Sequence, residues 1–224
     1  MNNVGITAGR FVSVTMTGDE PKSDPDNDLV EEMVRFYDDP LAFVMFAFPW
    51  GKGPLAGFDG PDQWAIDFLT DLSKDIKDRQ FDGINAVDPI LYSVSSGHGI
   101  GKSAMVAWII LFIMSTRPYC KGVVTANSYV QLRTKTWSEL GKWLNMCITK
   151  DWFVINSSSG SMSIHHHEHK ATWRADAQSS DEHNSEAFAG LHAASSTPFY
   201  IFDEASGIHE KVYEVSEGGM TDGE

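Results

Sequence analysis

Cysteine is scarce in this chain. Cys120 and Cys147 are its two cysteines in 224 residues, and their number and spacing suit neither a disulfide scaffold nor a metal-ligand set. Two reduced thiols in a cytoplasmic setting is the reading they support. Basic residues are also short, 17 Lys and Arg against 31 Asp and Glu. The net charge of -14 excludes a surface that grips nucleic acid everywhere, so any such contact has to be local or lie elsewhere in an assembly. Long apolar runs are missing as well. The longest, Ala104 to Met114, falls well short of the roughly 20 residues that span a bilayer, and no basic start with an apolar stretch opens the chain. What is present is 42% hydrophobic and 12% aromatic content, enough to bury a sizeable core.

Three regions follow from composition and periodicity. Residues 1–28 are rich in Gly, Thr, Asp, Asn and Pro and are expected to form a mobile arm, because they bury too little apolar surface to offset ordering. Residues 29–88 read as a helical lead-in. Leu29, Met33, Val34 and Tyr37, then Leu41, Val44, Met45 and Phe48, recur at helical spacing with a break at Asp39-Pro40. A further helix starts at Pro61-Asp62 and carries Trp64, Phe68, Leu69, Leu72 and Ile76 on one face to about Lys77.

Residues 89–224 read as the core. The apolar run Pro89 to Ser95 predicts a strand, and Lys102 opens an apolar helix that stops near Arg117-Pro118. Gly122 to Ala126 predicts a second strand, Tyr129 to about Met146 a helix, Trp152 to Arg174 an exposed hairpin, and Phe199 to Phe202 a third core strand. Alternating strands and helices predict an α/β fold with a mostly parallel central sheet flanked by helices.

Between the first strand and its helix lies Ser96-Gly97-His98-Gly99-Ile100-Gly101-Lys102-Ser103, a match to the nucleotide-binding P-loop with Ser96 in place of the usual first glycine. Backbone N–H groups at a helix N-terminus, with a Lys ammonium beside them, neutralise a triphosphate without bulky side chains. Lys102 would reach the outer phosphates and Ser103 would ligate Mg²⁺. A Gly-rich turn that happens to precede Lys-Ser is the plainer alternative. About a hundred residues on, four apolar residues lead into Asp203-Glu204, the form of a Walker B strand. Asp203 would then hold the Mg²⁺ shell and Glu204 would orient and deprotonate the attacking water. Alone, that acidic pair would read as an ordinary helix cap. With the P-loop it predicts an ATPase of the class that carries its own catalytic glutamate, the ASCE type.

The combination resembles the large subunit of tailed-phage terminases, the motors that package double-stranded DNA. The matching stretches are Gly97 to Ser103, Val123-Val124-Thr125-Ala126-Asn127, Phe188-Ala189-Gly190-Leu191-His192 and Ile201 to Gly207. The resemblance implies an adenine contact from Gln63, with Trp64 beside it, and a coupling role for Thr125-Ala126-Asn127, which otherwise reads as a strand-to-helix turn with Asn127 or Ser128 as N-cap. It implies ATP and Mg²⁺, double-stranded DNA, a small terminase subunit, a portal protein and a homo-oligomeric ring in the host cell cytoplasm, with no membrane. A helicase or remodeller of the same ATPase class, or a nucleotide-binding module without turnover, are the alternatives.

Terminases often have an arginine inside the P-loop, and this loop has His98 and none. The transition-state cation would come from His98, Arg133, Arg174 or a neighbouring subunit, and DNA contact from positions such as Arg133, Lys135 and Lys142. The sequence after Asp203-Glu204 is expected to be too short for a complete core, so the chain reads as an N-terminal ATPase portion truncated after the Walker B strand, without the nuclease. His165-His166-His167-Glu168-His169 would put His165, His167 and His169 on one strand face, a weak zinc or nickel pattern.

Overall fold

The structure is a computed structural model that describes residues 25–81, 87–95, 99, 101–158, 161–179, 191 and 196–221. Helices α1 (Pro25–Val34), α2 (Pro40–Ala47) and α3 (Gln63–Asp78) form the lead-in. The break between α1 and α2 has a local cause. Asp39 caps α2 by accepting the Ala42 N–H at 3.0 Å, and Pro40 takes the first turn, where its missing N–H costs nothing. Helix α1 begins at Pro25, so the arm predicted to Asp28 is too long by a helical turn. Residues 1–24 lie outside the described residues.

Helix α4 (Lys102–Thr116) is apolar on every side, and its buried residues run from Met105 to Thr116 with few gaps. A helix without a polar face belongs inside a layer of others. It packs against α1 and α2, against α6 (Ser138–Met146) and against the sheet. Phe48, Trp50, Trp108 and Trp143 tie these helices together, with ring centroids 4.9 Å apart for Trp108 and Trp143 and 5.0 Å for Phe48 and Trp143. Such edge-to-face pairs add roughly 0.5–1.5 kcal/mol each beyond area burial. Arg117 closes the helix. Its guanidinium donates to the Tyr37 carbonyl and the Thr116 hydroxyl and lies over the Tyr37 and Phe112 rings. Burial pushes its pKa down to about 10.

The sheet has five strands in the order β2-β3-β4-β1-β5: β1 (Lys121–Ala126), β2 (Phe153–Ser158), β3 (Ser161–His166), β4 (Arg174–Ser179) and β5 (Pro198–Asp203). β4, β1 and β5 are parallel, whereas β2 and β3 form a hairpin that runs antiparallel onto β4. The sheet is therefore mixed rather than mostly parallel.

Two further differences bear on the site. The run Pro89 to Ser95 forms no strand. It lies against α3 instead, with Tyr92 edge-on to Phe68 and bonded to Asp75, and with Arg79 donating to the carbonyls of Asp88 and Pro89. Leu91 to Ser95 are exposed; helix side chains have captured the segment that periodicity assigned to the sheet. Conversely, Arg174 to Ser179 is a central strand that periodicity missed, because Ala175 and Ala177 replace the branched residues that mark strands. The stretch after Asp203 is also ordered, as a 3-10 turn (Ala205–Gly207) and helix α7 (Glu210–Thr221).

The histidine run ends β3 rather than extending it. His165 and His166 are buried, the strand stops at His166, and the chain bends at His167 and Glu168. The expected alternation of His165, His167 and His169 on one face is thus broken, and the hairpin end is packed rather than exposed. His166 stacks on Trp173 at 4.4 Å and lies 4.6 Å from His167 and 5.2 Å from His169. Among the described residues, no group of three His, Cys, Asp or Glu is arranged to hold a metal ion.

Candidate nucleotide-binding site

The register of the parallel strands aligns Ala126 with Ser179 on one side and with Asp203 on the other. The carboxyl ends of β4, β1 and β5 therefore form one edge, the edge at which open α/β sheets place ligands. Asp203 is the last residue of β5, and Glu204 leaves it in the left-handed region at φ 52°. A glutamate in that conformation costs about 1 kcal/mol or more, and strain of this kind gathers at functional sites. The turn Ala205–Gly207 follows, and the Tyr213 hydroxyl from α7 donates to the Ala205 carbonyl at 2.7 Å.

Asn127 lies across that turn. A Cβ added at Gly207 would sit 2.6 Å from Asn127 Cγ and Nδ2, so glycine is what allows the end of β1 to approach the end of β5. Ser128 is the N-cap of α5 (Tyr129–Gln131), accepting the Gln131 N–H at 3.2 Å. The cap reading of this motif is thus correct for Ser128, while the Asn127 side chain lies against Gly207 in the turn after β5. Thr125 is fully buried, and its hydroxyl has no hydrogen-bond partner among the described residues.

Between α5 and α6 the helix widens into a π-helical stretch, Leu132–Trp137, a geometry frequent at functional sites. It brings two side chains to the acidic pair. Thr136 donates its hydroxyl to Asp203 Oδ2 at 2.5 Å, and Lys135 Nζ donates to Glu204 Oε1 at 3.1 Å. Sequence reasoning missed Thr136, whose position fits the buried helical stripe and carries no chemical signal of its own. Lys135, expected at DNA, is paired with Glu204. Lys142 is paired with Glu139 at 3.0 Å, and Arg133 is exposed.

Arg174 sits opposite Lys121 at the amino end of the parallel strands. Five residues at roughly 3.3 Å each separate that end from the edge carrying Asp203. Its guanidinium forms a bidentate pair with Asp176. It is therefore remote from the acidic pair and already engaged.

Of the loop, Gly99, Gly101, Lys102 and Ser103 are described, and Ser96, Gly97, His98 and Ile100 lie outside the described residues. Gly99 and Gly101 are left-handed, φ 83° and 86°, with open space around each. Gly101 is the N-cap of α4 and, as glycine, supplies no side-chain cap; the first N–H groups of a helix have no partner within the helix itself. Lys102 and Ser103 are half-buried in that first turn. Helix α4 touches β5 and the Leu132–Trp137 stretch. Gln63 is exposed at the start of α3, with its amide bonded to Asp67 at 2.8 Å. Of the motif around Gly190, only Leu191 is described, half-buried against Val123, Ile208 and Val212.

No described helix is long and apolar enough to cross a membrane. No family model matches the chain, and no solved structure matches it. A curated protein does. The chain is 30% identical over 130 residues to "Probable terminase, large subunit" of Enterobacteria phage P7, a match covering 58% of this chain and 26% of that protein. The chain therefore spans about a quarter of its relative's length, and it is similar to a terminase large subunit over that part.

Proposed function

We propose that this chain is the ATP-binding and ATP-hydrolysing motor portion of a terminase large subunit, acting on double-stranded DNA with a portal and a small subunit as partners. The observation that carries the reading is the combination of a glycine-led helix start at Gly101-Lys102-Ser103 with Asp203-Glu204 at the carboxyl edge of a parallel strand trio. Neither half is specific alone, and the likeness to a terminase large subunit supports the motor over other ATPases.

The residues present suit Mg·ATP. The α4 N-terminus and Lys102 offer positive charge to phosphates. Ser103 and Asp203 offer the hydroxyl and carboxylate oxygens that Mg²⁺ takes. A Mg²⁺ ion held by Ser103 and Asp203 would supply positive charge to the phosphates. Glu204 would accept a proton from the water that attacks the γ-phosphorus, as the bond to the β–γ bridging oxygen breaks and ADP and phosphate leave.

One observation favours a rival, a module that binds ATP without turnover: the Glu204 carboxylate is tied to Lys135. Glu204→Gln separates the two. In the motor reading it lowers phosphate release about 10²- to 10⁴-fold while titration calorimetry shows ATP binding unchanged. Unchanged release in a protein that hydrolyses ATP would overturn the assignment of Glu204, and binding with no release from the unmodified intact protein would favour the rival.

A further inference from the structure

The Lys135–Glu204 pair has the properties of a latch. It spans two elements 69 residues apart in the chain, and both side chains are substantially exposed, 55% and 40%. Beside it, Thr136 is almost wholly buried and bonded to Asp203. Two consecutive residues of one π-helical stretch thus hold the two consecutive carboxylates of the acidic strand end. The bonds differ in strength. A buried hydroxyl on a carboxylate is costly to lose, whereas an exposed ion pair is worth roughly 0.2–1 kcal/mol. The first fixes Asp203, and the second opens readily.

We infer that Lys135 is a positioning residue that restrains Glu204: the ammonium on Oε1 holds the carboxylate in one orientation and lowers its basicity, so turnover is slowed until this pair is released. Release would come from an anion that competes for the ammonium. The exposed Arg133 and Lys135 on the same stretch make a phosphodiester backbone the fitting competitor, and Glu204 becomes free as the backbone takes Lys135. This inference rests on the proposed function, because it assigns Glu204 as the base.

The test is phosphate release by the intact protein and its Lys135→Met and Lys135→Arg variants, without and with double-stranded DNA. Lys135→Met is expected to raise DNA-free turnover about two- to sixfold, the change that follows if a pair worth ~0.2–1 kcal/mol holds most of the Glu204 population. The ratio to wild type should fall towards one between about 0.05 and about 0.5 M salt, where screening opens the pair in both proteins. DNA should stimulate Lys135→Met less than wild type by the same factor, and Lys135→Arg should behave as wild type. Turnover of Lys135→Met at or below the wild-type rate, or a ratio indifferent to salt, would overturn the latch. If Glu204→Gln abolishes release while Lys135→Met changes nothing, the latch alone fails; if Glu204→Gln hydrolyses normally, the assignment of the base fails and the latch with it.

Discussion

Thr125→Val is expected to stabilise the protein. The side chain is fully buried near the end of β1, and its hydroxyl has no hydrogen-bond partner among the described residues. A buried hydroxyl without a partner carries an uncompensated desolvation cost of about 1–3 kcal/mol. Valine keeps the branched shape that suits a central strand and puts a methyl group where the hydroxyl was. The expected gain is about 1–2 kcal/mol, and each kcal/mol moves the melting temperature of a chain this size by roughly 2–4 °C.

Thr116→Val provides the opposite case with the same chemistry. The Thr116 hydroxyl donates to the Phe112 carbonyl at 2.7 Å and accepts from Arg117 Nη1 at 2.7 Å, and its loss would leave a buried guanidinium N–H unpaired. Destabilisation of about 1–3 kcal/mol should follow. Urea titration with circular dichroism reads both, and the slope of the transition should stay constant. A Thr125→Val unfolding free energy lower than wild type by more than about 0.5 kcal/mol would refute the reasoning. It would mean that the hydroxyl finds a partner in solution.

Two other perturbations test the packing around the site. Gly122→Ala would drive a Cβ into the Phe199 ring, its register partner across β1 and β5, and should cost about 1–3 kcal/mol by overpacking, read in the same titration. Stability should also fall in acid. Burial and the neighbouring His167 and His169 lower the pKa of His166 from 6.5, and its Nδ1 accepts the Glu168 N–H, a bond that protonation there removes. The unfolded chain therefore takes up the proton first, and stability declines as pH drops below about 6.5, by up to about 1.4 kcal/mol per pH unit for each such group. His165, lowered by burial and by Lys170 and Arg174, adds in the same direction. His166→Phe keeps a ring on Trp173 and should flatten the decline in urea midpoint between about pH 7.5 and about pH 5; equal slopes in the two proteins would dismiss the histidine stack as its source.

Helices were legible in the sequence where caps and periodicity agreed. Asp39-Pro40 marked the start of α2, and the Trp64 to Ile76 stripe marked α3, because both signals are local. Pro89 to Ser95 was misread because an apolar run reports burial rather than a partner. Arg79, Asp75 and Phe68, brought together by α3, supplied one that periodicity cannot see. β4 escaped for the converse reason, its small alanines being set by the close neighbours β1 and β3. In the candidate site, the place of Asp203-Glu204 at a strand end was legible because four apolar residues lead into it. Thr136 was not, since its role exists only once the widened helix turns it towards a residue 67 positions away.

The left-handed backbone at Glu204 has an evolutionary consequence. Glycine would occupy φ 52° without strain, so selection for stability alone would favour replacing this glutamate. A lineage in which the acidic strand end had lost its purpose would drift towards Gly or Asn at this position and gain stability by doing so. Under the role proposed for Glu204, its copies would then record the loss of hydrolysis as an increase in robustness.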